Sequence, residues 1–188
     1  MKKINSISIT VLVLSVLYFV SSASARTTHS QSYKNINKNL VPFSFKSIEA
    51  GIETDPHKVG ECNITNGDPN KLTCDGYDPE VAGINLLVAP KYDFYQLKLT
   101  SMFFIYPNRG ANFATFADAF TQKYGPACKR EVSKWRNSMG AVLDNPTFTW
   151  CFSTGQLTLQ AIGTDIRYGL AIYEDKNSAP TARAKVDF

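Results

Sequence analysis

Histidine is scarce in this chain: two residues in 188, His29 and His57, neither at metal-ligand spacing. The four cysteines, Cys62, Cys74, Cys128 and Cys151, form no C-x-x-C, so neither a zinc ribbon nor a thioredoxin-type dithiol is written here. G-x-S-x-G and the Walker pattern are both missing, which removes the hydrolase nucleophile elbow and the P-loop phosphate cradle. Net charge is small, with 20 Lys and Arg against 16 Asp and Glu, and no basic helix or aromatic-basic module of a nucleic-acid binder occurs. Long apolar runs are missing too. The Ile9–Val20 run falls short of the ~20 residues that span a bilayer.

What that run does fit is export. Lys2 and Lys3 precede it, and Ser21 to Ala25 supply small residues with Ala23-x-Ala25, the anatomy of a secretory signal cleaved before Arg26. No cysteine follows the run directly, so an N-terminal lipid anchor is not expected. Lys2 and Lys3 are the only charges in residues 1–25, so the mature chain drops from +4 to +2. A periplasmic or secreted protein is expected, without a membrane span after cleavage and without a nucleic-acid partner.

Export decides how the cysteines are read. An even number in an oxidising compartment points to two disulfides. Of three connectivities, sequence order favours Cys62–Cys74 and Cys128–Cys151. The turn-forming "NGDPN" at 66–70 lets the first pair approach, and closing such a loop is worth roughly 3 kcal/mol. The second pair is harder to place. Cys151 alternates to the face opposite Trp150, so its partner must arrive around the sheet edge or through a bulge.

The organisation expected is a signal at 1–25, a polar leader at 26–41, an α+β domain at 42–175 and a polar tail at 176–188. The domain is one unit or two halves, 42–107 and 108–175. Its clearest element is a helix over 112–124, where Phe113, Phe116, Ala117, Phe120 and Tyr124 form one apolar stripe, Asn112 is the expected cap, and Gly125-Pro126 is the stop. A short helix is expected after Thr54 or Asp55, with Pro56 in its first turn. Phe43, Phe45 and Ile48 suggest a short strand or docking segment. Strands are expected at Val81–Val88 and at 94–106, the latter with Tyr95, Leu97, Leu99, Ser101, Phe103 and Ile105 on one face. Residues 127–146 read as a polar loop. A meander follows, placing Phe148, Trp150 and Phe152, then Leu157, Leu159 and Ala161, then Ile166, Tyr168, Leu170 and Ile172 on its faces.

The pieces "HKVGEC…CDGY…VAG" at 57–83 and "FTQKYGPAC…FTWCF" at 120–152 give each half one helix, one disulfide and a small antiparallel sheet. That layout resembles the secreted β-lactamase inhibitory proteins, tandem helix-plus-sheet repeats with one disulfide each whose concave sheet grips an enzyme. The related β-barrel assembly lipoproteins share the unit but carry a lipidated cysteine that has no counterpart here. The resemblance implies the architecture and carries no binding residues across.

Function is therefore expected to be protein binding, as an inhibitor or an envelope accessory factor, with no cofactor and no metal indicated by any motif. Exposed aromatics are the natural anchors. Trp135, in the polar stretch "KREVSKWRNSMG", is the first candidate, followed by Tyr106 and Tyr92; Tyr173 is secondary, and Phe94 and Tyr95 are read as packing aromatics. The alternatives are an exported enzyme of unknown reaction using His57 and a carboxylate, or a structural envelope component.

Overall fold

The computed structural model describes residues 40–177; the expected signal at 1–25, residues 26–39 of the expected leader and residues 178–188 lie outside them. The chain opens with a small hairpin of β1 (Ser44–Phe45) and β2 (Ile48–Glu49), followed by a 3-10 turn at Pro56–Lys58. Then come β3 (Gly60–Thr65), β4 (Asp68–Gly76), the short pair β5 (Glu80–Val81) and β6 (Ile84–Asn85), β7 (Lys91–Tyr95) and β8 (Lys98–Pro107). After the helix α1 (Asn112–Tyr124) the chain continues through β9 (Lys129–Arg136), β10 (Val142–Cys151), β11 (Gly155–Gln160) and β12 (Tyr168–Asp175).

Eight of these strands form one sheet in the order β3-β4-β7-β8-β12-β11-β10-β9, antiparallel throughout. It consists of two four-stranded meanders joined through their last strands, β8 and β12. Both expected disulfides are formed, Cys62–Cys74 and Cys128–Cys151. The chain leaving α1 enters the sheet as its edge strand β9, and this brings Cys128 to the end of β10 where Cys151 stands.

One face of the sheet is the core. Trp150, Leu157, Tyr173, Met102, Tyr92, Cys74 and Cys62 oppose one another in that order across seven strands, and all but Cys62 are buried. Helix α1 covers this rung with Phe116, Ala117 and Phe120, and the β1–β2 hairpin adds Phe43, Phe45 and Ile48. Phe43 stacks on Tyr173 with ring centroids 4.0 Å apart, and Phe120 meets Trp150 edge to face at 5.4 Å. Each fully buried phenylalanine contributes roughly 1.5–3 kcal/mol, so the helix and the hairpin close the face together. Size is matched across strands: Phe104 lies opposite Ala171, and Tyr106 lies over Gly169, where a Cβ would collide with its ring.

Several sequence expectations hold locally. The Asp55 carboxylate accepts from the His57 amide at 3.1 Å and Pro56 opens the 3-10 turn. Gly125, at φ +82, terminates α1 where a side chain with a Cβ is disfavoured. Others are corrected. Asn112 is the first helical residue and donates its side-chain Nδ2 to the Pro107 carbonyl at 2.8 Å; it does not cap α1. The Val81–Val88 run is the β5–β6 hairpin, turning at Ala82-Gly83 with φ of 53 and 75. The 94–106 strand is two strands, because Gln96 and Leu97 both adopt positive φ (49 and 62) and turn the chain back. A bulge then lets Asp93–Phe94 face Ser101 and Leu99, with Thr100 as the extra residue, so the inward positions become Met102, Phe104 and Tyr106. In β12 the inward residues are Gly169, Ala171 and Tyr173, because the large rings of β8 fill that space; Leu170 and Ile172 turn to the other face.

The polar stretch 127–146 is also ordered, as β9 and the first half of β10. The β10–β11 ladder ends at Thr147–Gln160. Beyond it, the buried Asn145 side chain does the work of a strand: its Oδ1 accepts from the Ile162 amide and its Nδ2 donates to the Ile162 carbonyl, both at 2.8 Å. Asn145→Ala leaves both groups without partners in a dry site, at a cost of about 2 kcal/mol or more. Urea denaturation should show a lower midpoint at unchanged slope; an unchanged midpoint would show that the contact is dispensable.

Candidate functional site

Because β11 stops opposite Thr147, the outer halves of β9 and β10 run on as a two-stranded arm tipped by residues 137–141. The register sorts its side chains. Trp135 and Leu143 oppose each other on the face away from α1, with Ser133 and Glu131 following. On the α1 side stand the pairs Arg136–Val142, Lys134–Asp144, Val132–Pro146 and Arg130–Phe148. Met139 at the tip is 88% exposed and Val132 is 64% exposed, with Val142 and Leu143 also open to solvent. Trp135 is half-buried and stands opposite Leu143.

Charge along β9 is predominantly positive. In β9 four cations, Lys129, Arg130, Lys134 and Arg136, accompany one acid, Glu131. Lys129 pairs with Glu131 at 2.8 Å, Lys134 pairs with Asp144, and the Arg130 guanidinium lies 4.7 Å from the centre of the Phe148 ring.

The three aromatics singled out by sequence are not brought together. Trp135 is on the arm, in a strand, contrary to the expected loop. Tyr92 and Tyr106 are core residues, 2% and 0% exposed, so as exposed anchors they are corrected. The Tyr106 hydroxyl donates to the Gln160 carbonyl at 2.7 Å, and burial raises both phenols well above the ordinary tyrosine range. For Tyr106 the physical reason is the Thr100 bulge, which turns the even positions of β8 inward; Tyr92, in β7, sits on the core rung between Cys74 and Met102. Tyr173 and Phe94 are likewise buried, whereas Tyr95 is exposed beside the Gln96-Leu97 turn.

The chain matches no family model, no curated protein and no solved structure.

Elsewhere, His57 lies on a shallow groove with Glu53, Thr54, Asp55, Pro56, Leu72 and Leu97, a lining without serine or cysteine. Among the described residues no group of three His, Cys, Asp or Glu is placed to hold a metal ion. The acids in and just after the first cysteine loop are engaged locally: Asp75 pairs with Lys91 at 3.0 Å, Asp78 with Lys46 at 2.7 Å, and Asp68 accepts from the Asn70 amide. Among the described residues, no helix is long and apolar enough to cross a membrane.

Sequence reasoning found Trp135 but not Val132, Met139, Val142 and Leu143 around it. It also missed that the sheet face away from α1 carries Phe103, Ile105, Leu170 and Ile172, half-buried on adjacent strands. The available signal was the scatter of apolar residues through a stretch otherwise polar enough to need no core.

Proposed function

We propose that this chain is an exported, disulfide-stapled protein-binding module, working as an inhibitor or envelope accessory factor, and that the β9–β10 arm is its docking element. The observation that carries the reading is the arm itself. It displays Trp135 and Leu143 on one face, Val132 and Val142 on the other and Met139 at the tip, and none of them contributes to the core cluster. A two-stranded ribbon in water is marginal by itself, and apolar side chains grouped outside a core mark a contact surface. The two meanders, each with a disulfide joining its first two strands, support a repeat like that of the secreted β-lactamase inhibitory proteins. In the first half the β1–β2 hairpin stands in for the helix.

The test is affinity capture by oxidised, tagged 26–188 from envelope and culture-fluid extracts, with each captured protein then purified and titrated. Trp135→Ala, as the central aromatic of a contact, should cost about 2 kcal/mol or more, a loss of roughly thirtyfold in affinity. His57→Ala should bind as the parent does. Undiminished binding by the Trp135 variant, or loss on changing His57, would overturn the assignment.

A further inference from the structure

The arm has an open backbone edge, and the register reveals which groups line it. The Pro146 carbonyl accepts from the Ala161 amide at 3.0 Å, so the Pro146 backbone faces β11. The Ser133 hydroxyl reaches the Asn145 carbonyl at 3.3 Å, on the β9 side. In an antiparallel ladder, successive residues turn their N–H and C=O to opposite sides. Val132, directly opposite Pro146, therefore points its backbone groups away from β10, and Arg130, Lys134 and Arg136 do the same. β9 ends the sheet order, and no other described strand pairs with that side. The free row is thus four residues long and carries three cationic side chains, all on the α1 face with Val132 among them; of the three, Lys134 already pairs with Asp144.

We infer that the outer edge of β9 takes up an extended acidic segment of a partner protein as a ninth, antiparallel strand. This rests on the binding role proposed for the arm and names the class of partner. Charge chooses the occupant. A second copy docked edge to edge would set Arg130, Lys134 and Arg136 against their own like. The chain's own leader offers Arg26, Lys34 and Lys38 with no acid, and residues 178–188 carry Arg183 and Lys185 against Asp187. Directly opposed side chains in an antiparallel pair lie about 5 Å apart, within reach of an ion pair. A strand reading acid, acid, apolar, acid at alternate positions meets Arg136, Lys134, Val132 and Arg130 in turn. The opposite edge does not offer the same invitation: β3 has six residues, Glu61 is its one charge, and a register shift interrupts it at Ile64–Thr65.

The probe is the synthetic peptide acetyl-Glu-Thr-Glu-Thr-Val-Thr-Glu-amide, with its Lys-for-Glu counterpart as control, added to full-length mature chain. Amide exchange is read residue by residue. At about nine times its dissociation constant the acidic peptide should slow exchange at Arg130, Val132, Lys134 and Arg136 about tenfold, and the basic peptide should not. Val132→Pro deletes an outward N–H without touching the ladder to β10, and an edge strand tolerates it, so the fold should stand while protection is lost. Arg136→Glu should weaken the acidic peptide with the backbone untouched. Protection by both peptides or by neither, protection outside β9, or a stable dimer of the free chain in sedimentation would each overturn the proposal. The two readings separate as follows: if Trp135→Ala abolishes binding to a captured partner while Val132→Pro does not, the arm remains a docking surface and strand addition is wrong.

Discussion

Between about pH 10 and pH 12 the protein will unfold in a single cooperative step, its buried phenols ionising with the transition and not ahead of it. Tyr92, Tyr106 and Tyr173 are all at most 2% exposed. Burial pushes Tyr173 up to about 12 and the other two higher still; the negative charge of Asp78 adds to the rise at Tyr92. In the unfolded chain a phenol ionises near pH 10. Above that value the folded state holds protons that the unfolded state has released, so stability falls as pH rises, and it is present in full below about pH 10. Each such phenol removes up to about 1.4 kcal/mol per pH unit, hence about 4 kcal/mol per unit for three. Against a typical total of about 5–15 kcal/mol, that slope exhausts the fold within a few units. Phenolate absorbance and far-UV circular dichroism, followed together, should change at the same pH. Phenolate signal from these three residues appearing near pH 10 with the dichroism intact would show that they are not sealed in the core.

Trp150→Ala should be the most damaging single substitution. Trp150 is 1% exposed, meets Phe120 edge to face at 87°, and its indole N–H donates to the Gly125 carbonyl at 2.9 Å. One side chain thus ties the sheet to the helix face and to the turn that ends the helix. Truncation leaves a large cavity and costs about 3–5 kcal/mol, a fall in melting temperature of roughly 10 °C or more. Trp150→Phe keeps a ring against Phe120 and loses the hydrogen bond, so about 1–2 kcal/mol is expected. Equal losses from the two variants would mean that the hydrogen bond, not the packing, dominates; a loss below about 1 kcal/mol from alanine would contradict the packing described.

Helix α1 was legible because its Phe stripe and Gly125-Pro126 stop agree on one period and one boundary. The disulfides were legible from compartment and order. Two things were not. Gln96 and Leu97 turn the chain at positive φ without glycine or asparagine to announce it, and the bulge at Thr100 then inverts every face downstream in β8. The inversion moved Tyr106 from the surface to the core and took it off the binding surface. β9 was hidden for a different reason. An edge strand with water on both faces has no hydrophobic alternation, so "KREVSKWR" carries no period that a sequence reading detects. Trp135 was found because a large aromatic in polar surroundings stands out. Of the arm's other apolar residues, only Leu143 shares its face, opposite it, and that is visible only once the register is known.

An open sheet ordinarily frays from its margins, where each outer strand is held by one ladder alone. Here both margins are riveted. Cys62–Cys74 fastens β3 to β4, and Cys128–Cys151 fastens the start of β9 to the end of β10. The far end of β9 is left unfastened. Opening by thermal fluctuation is thereby confined to the free tip of one hairpin while the root stays shut, like a page bound along its spine. A thiol reductant would release both margins at once, while the central β8–β12 ladder, which holds no cysteine, would still join the two meanders.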